Sequence, residues 1–221
     1  MDLCYVANHT LRESSGLHLL PRFFVLYSMK RLLSFLWLLL VVRFAFSQSE
    51  LPEFNKERIR ITRNGMMVLG AWGAANTIVG AIGLATANGE AKYFHQMNLI
   101  WGVTNFAIAV PGYIGARKRE SNLSASQSAK QQSGIEKTFL INGGLDLVYI
   151  TAGLYCLEKG NTASNRDRYK GYGKSLLLQG GGLLIFDAVM YFTHVAHGEV
   201  LYQILDKVQV SGSSAAIVWR F

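Results

Sequence analysis

Charged side chains are scarce in this chain of 221 residues: Lys, Arg, Asp and Glu together make up 16%. An ordinary soluble domain carries about 25%, so the chain lacks the groups that keep a surface wet. Cysteine is limited to 2 residues and proline to 3, which excludes a disulfide-stapled secreted module and a Pro-rich linker. The 22 glycines follow no triplet period, so a collagen-like repeat is excluded too. Equally absent are a phosphate-binding Gly-rich loop, a dinucleotide fingerprint, a nucleophile elbow and a paired Cys-x-x-Cys. No enzyme and no cofactor is implied. What the chain has instead is apolar residues, half of the total, and a net charge of +8. The basic residues flank apolar runs without interleaved stacking platforms, so nucleic acid is not expected as a partner.

Residues 29–47 have the layout of a secretory signal peptide. Met29-Lys30-Arg31 gives the basic start, residues 32–42 the apolar core, and Ala45 and Ser47 the small positions before Gln48. The core is shorter than the roughly 20 residues a bilayer-spanning helix needs. The signal has its own methionine, so residues 1–28 are expected to be a mis-assigned start or a disordered extension. A polar segment, 48–64, follows.

Four windows then lack charge. No charged residue falls between Arg63 and Glu90, or between Lys92 and Arg117; Asp146 is alone between Lys137 and Glu158, and Asp187 between Lys174 and Glu199. Each is as long as a hydrocarbon core demands, and only a helix satisfies its own backbone there. Helices are therefore expected near 65–87, 94–116, 138–157 and 175–197, an all-α transmembrane four-helix bundle made of two antiparallel hairpins within 65–197. Residues 117–137, rich in Ser and Gln, are expected as a flexible loop, 158–174 as a second connection and 198–221 as a surface tail or short strand. The lipid bilayer is the implied partner, with a homo-oligomer or another membrane protein inside it.

Two orientation signals disagree. A cleaved signal would export the face bearing 11 Lys and Arg, whereas the other face bears 6, and the positive-inside rule prefers the reverse. The signal pattern is the more specific, so a multi-pass protein of the bacterial inner (cytoplasmic) membrane is expected.

Small and polar residues recur at helical spacing. Gly70, Gly73, Asn76, Thr77, Gly80 and Gly83 form one stripe, and Asn98, Gly102, Asn105, Ala109 and Gly112 another. Glycine stripes let helix backbones approach closely in lipid. By window midpoints, Asn76, Asn105, Asp146 and Asp187 fall in one mid-membrane layer, with Asn98, Asn142 and His194 as weaker members. Two readings stand for that layer: interhelical glue, or an ion or proton site. His194 and His197 are two candidate ligands, too few for a metal site, and His95 belongs to the opposite end, so the histidines cannot share a haem. Aligning Asn76 with Asp146 also matches Gly73 with Gly143 and Gly83 with Gly153, a weak sign of duplicated hairpins.

The segments RNGMMVLGAWGAANTIVGAIGL, FHQMNLIWGVTNFAIA, INGGLDLVYITAGLYCLEKG and QGGGLLIFDAVMYFTHVAH resemble an uncharacterised family of small four-helix bacterial membrane proteins. It is a domain-of-unknown-function family of the Bacteroidota type, and the resemblance covers about residues 50 to 200. It implies four transmembrane helices and no assigned activity. The reading from residues alone is a non-enzymatic membrane protein, structural or partner-binding; the alternative is a small ion- or proton-coupled carrier using Asp146 and Asp187.

Overall fold

The structure, a computed structural model, describes residues 20–209. Among them are four helices and no strand: α1 (Leu20–Thr86), α2 (Gly89–Arg117), α3 (Ala125–Thr162) and α4 (Arg166–Gln209). From Glu50 onward each is long and apolar enough to cross a membrane, as the uncharged windows require. Residues 1–19 of the expected extension and 210–221 of the tail lie outside the described residues.

The α1–α2 hairpin turns within two residues. Asn88 is extended and Gly89 takes a φ of +58°, a left-handed value that side chains with a Cβ rarely adopt. Below the turn the two helices nearly touch. A Cβ on Gly73 would lie 2.6 Å from the Phe106 backbone nitrogen, and one on Gly80 the same distance from that of Leu99. From the other side, a Cβ on Gly102 would collide with the Thr77 backbone. The small residues are therefore there for backbone-to-backbone contact, which lipid rewards because no hydrophobic effect draws helices together in it.

Hairpin α3–α4 closes in the same way. Gly153 and Gly173 face each other's carbonyl oxygens, at 3.0 and 2.8 Å from a built Cβ, and Gly180 lies against Ile150 and the Asp146 carbonyl. Gly143 behaves differently: its nearest neighbour is a Leu184 methyl at 3.9 Å, whereas its supposed counterpart Gly73 is jammed against backbone. At that pair the suggested duplication is not reproduced in the packing.

Helix α4 holds the bundle together, packing against all three other helices. The α2 and α3 pair lies across the diagonal and meets through the Trp101 and Tyr149 rings, whose centroids are 4.7 Å apart. The outer faces carry Ile78, Ile82, Val103, Ile108, Leu147, Ile185 and Phe192, all exposed and suited to acyl chains. In the signal-like stretch, Leu32, Leu33, Phe35 and Trp37 are also exposed.

The connections are shorter than their composition suggests. The expected loop 117–137 shrinks to residues 118–124, because α3 begins at Ala125. Its start is a capping box: the Gln127 backbone N–H donates to Ser124 Oγ (3.3 Å) and the Ser124 N–H donates to Gln127 Oε1 (3.0 Å). That satisfies two otherwise orphaned donors, and the Ala, Gln and Lys that follow are good helix formers. The second connection shrinks from 158–174 to 163–165, and residues 198–209, expected as surface tail or strand, continue α4.

These extensions build a feature the hydropathy did not reveal. From Glu50, α1 runs 37 residues, about 55 Å at helical rise, against a hydrocarbon core of about 30 Å. Beyond the end of α2, the excess lengths of α1, α3 and α4 form a three-helix foot. It has its own small core of Leu51, Phe54, Leu201 and Ile204, flanked by Ala125, Ala129 and Leu205.

Candidate functional site

Buried polar side chains occur in three tiers along the bundle axis. The first is an amide cluster centred on Gln179, which is 0% exposed. Its Nε2 donates to Asn76 Oδ1 (2.8 Å) and Asn98 Oδ1 (3.0 Å), while its Oε1 accepts from the Trp72 indole N–H (2.9 Å). Ser175 Oγ donates to the same Asn98 oxygen at 2.6 Å, and Asn76 Nδ2 donates to the Trp72 carbonyl at 2.9 Å. Three helices are thereby tied through one side chain. Every polar atom of Gln179 is used, which is what a buried amide requires.

The second tier is the pair Asp146 and Asp187, 2% and 5% exposed. The two carboxyl groups lie close enough to act on one another, and Asn142 lies beside Asp187. A carboxyl-to-carboxyl hydrogen bond needs one proton, since two carboxylates offer only acceptors. Asp146 Oδ2 has no hydrogen-bond partner among the described residues, and neither has Asn105 Nδ2 on α2. Asn105 is nonetheless 97% buried, with 3% exposed.

The predicted single layer therefore divides. Asn76 joins Asn98 in the amide tier, Asp146 joins Asp187 and Asn142 in the carboxyl tier, and Asn105 Nδ2 bonds to neither among the described residues. His194 belongs to neither.

His194 marks the third tier, at the foot. It is 0% exposed, with Nε2 3.5 Å from Thr62 Oγ1 and its ring stacked on Phe139, centroids 5.6 Å apart. Gln132 Nε2 donates to the His194 carbonyl (2.6 Å) and to Glu136 Oε1 (2.8 Å). His197 stacks on Phe54, and its Nε2 lies 3.0 Å from the Phe54 carbonyl. A carbonyl only accepts, so that nitrogen carries the proton. Nearby, Arg58 is 0% exposed and donates from Nη1 to the Ser128 carbonyl (3.1 Å) and from Nη2 to Gln131 Oε1 (2.8 Å). Asn55 Nδ2 donates to Ser128 Oγ (2.9 Å) and to the Ser121 carbonyl (3.0 Å). His95 sits at the other end against Gly83. Among the described residues no three His, Cys, Asp or Glu side chains gather as a metal set.

Sequence reasoning missed Gln179, Ser175, Trp72 and Arg58. Gln179 had a readable signal, an amide just before the Gly180–Gly182 triplet in an otherwise apolar run. Arg58 had none, because it resembled the other flanking charges.

No curated protein and no solved structure matches the chain. A family model matches residues 68–188, which takes in the amide cluster and the carboxyl pair, and leaves the foot residues of α1 outside. The match covers more than half of the sequence, and the chain belongs to that family of unknown function (DUF6992).

Proposed function

We propose that this is a non-enzymatic integral membrane protein whose Asp146–Asp187 pair is a proton-exchange site, with the amide cluster holding the helices in register around it. The observation that carries the reading is the burial of two neighbouring carboxyl groups inside an apolar bundle, with Asp146 Oδ2 unpartnered among the described residues. Each carboxylate at mid-membrane costs about 2.5–3.5 kcal/mol on insertion scales, and such residues commonly mark relays. A sequence seeking only interhelical glue has a cheaper solution in amides, and this chain uses it one tier away.

The bilayer is taken to be the bacterial inner membrane, with residues 29–47 as export signal and the 118–124 loop on the exported face. Four helices leave little room for a solvated path, so proton access would run along a contact with another copy or a membrane partner. A second reading, a purely structural or partner-binding protein, is supported by the amide cluster, in which both polar atoms of Gln179 are matched.

Proton uptake into proteoliposomes under an imposed gradient, followed with an internal pH dye, tests the first reading. The parent protein is expected to conduct and the Asp187→Asn variant to lose conduction while remaining folded. Absence of flux in the parent would sink it and leave the structural reading.

A further inference from the structure

Among the described residues, the foot contains a buried cation without an anion. Arg58 bonds only neutral acceptors among these residues, its Nε has no hydrogen-bond partner there, and its guanidinium lies over the Phe54 ring, 5.9 Å from the centroid. Three further buried polar atoms of the foot lack a partner among the described residues: the acceptors Asn55 Oδ1 and Gln132 Oε1, and the ring nitrogen His194 Nδ1. A buried charge is ordinarily paired, and no carboxylate forms an ion pair with Arg58 among the described residues. Arg offers the planar donor fork that suits phosphate oxygens.

Position narrows the class of anion. Arg58 lies on α1 seven residues before Gly65, at the border where headgroups meet the uncharged window. α1 and α3 meet at the foot, through Asn55 and Arg58 with Ser128 and Gln131. Nearer the middle of the membrane an apolar groove opens between α1 and α4, lined by Val68, Leu69, Trp72, Gly182, Phe186 and Val189, with a volume of about 290 Å³. It is deepened by Gly182, where a Cβ would meet the Trp72 ring at 2.9 Å. From Arg58 to Val68 the helix rises about 15 Å. That places the groove at acyl-chain depth in the leaflet whose phosphates lie level with Arg58, since half a hydrocarbon core is also about 15 Å.

We infer that Arg58 is the phosphate-binding group of a site for an anionic phospholipid, one of whose acyl chains occupies the Val68–Val189 groove. The 118–124 loop is tied to the foot by the Asn55 Nδ2 bond to the Ser121 carbonyl, and lifting that loop admits the headgroup. The inference is independent of the carboxyl pair.

Native mass spectrometry of the full chain in detergent, titrated with phosphatidylglycerol or phosphatidylcholine, tests it. One phosphatidylglycerol is expected to bind selectively. Arg58→Gln should weaken that binding roughly tenfold or more, the worth of a charge-assisted hydrogen bond, and Arg58→Lys should restore part of it. Val189→Trp, which fills the groove and leaves the foot intact, should weaken it as well, and keeps the test decisive if Arg58→Gln fails to fold. Equal binding of both lipids, or unchanged binding in folded Arg58→Gln or Val189→Trp, overturns the proposal. So does displacement of the lipid by millimolar inorganic phosphate alone, which would make the site one for a free anion.

Discussion

The amide cluster and the carboxyl pair occupy neighbouring tiers of one bundle, yet they treat their polar atoms in opposite ways. Around Gln179 the amide and the Trp72 indole N–H find partners across three helices, whereas Asp146 Oδ2 and, elsewhere in the bundle, Asn105 Nδ2 go without among the described residues. In hydrocarbon an unmatched polar atom has no water to fall back on. The first arrangement is what stability alone would select. The second gives up stability, and that cost points to a group kept for what it binds or exchanges.

Replacement of Gln179 by Leu is the most severe way to probe this contrast. It strands Trp72 Nε1 and the Asn76 oxygen and leaves Asn98 only Ser175. A loss of about 2 kcal/mol is expected, from three interhelical bonds of about 0.6 kcal/mol each, read from a denaturant titration in mixed micelles. A change below about 0.5 kcal/mol would mean that the cluster is not what joins the hairpins.

Asn105→Leu should move stability the other way, by about 1 kcal/mol upward, because it removes a buried donor that has no acceptor. Destabilisation in the same assay would reveal a partner for Asn105 and erase the difference between the tiers. Asp187→Asn is expected to have the smallest effect on folding, under about 1 kcal/mol, since an amide N–H replaces the shared proton as donor to Asp146. Its signature is spectroscopic: the protonated-carboxyl infrared band of the parent should vanish in the variant. A parent lacking that band would show that the two carboxyls do not share a proton.

At the foot, Ser124→Ala removes half the capping box and should cost about 1 kcal/mol, measured by the same titration. No change would mean that α3 does not depend on this cap for its start.

The legible part of the molecule was the part governed by single-helix physics. Uncharged runs around Asn76, Asn105, Asp146 and Asp187 announced four spans, and Gly73, Gly80 and Gly102 announced close hairpins. The Ser124-x-x-Gln127 cap was also present in the sequence, but the polar composition of 117–137 obscured it. The pairing of side chains was not legible. Placing Asn76 and Asp146 at window midpoints fixes their depth to within a turn, yet successive helical residues point about 100° apart, so a small rotation exchanges one partner for another.

Lipid as the surrounding medium, the number of helices and the need for glycine where backbones meet follow from composition and spacing, because each is decided by transfer free energy and local sterics. The choice of Gln179 as hub, the separation of Asn76 from the carboxyls and the burial of Arg58 were decided by how the two hairpins rotate against each other. That rotation is set by contacts between residues more than 70 positions apart, as in Arg58 with Gln131 and Trp72 with Gln179, and no local pattern encodes it.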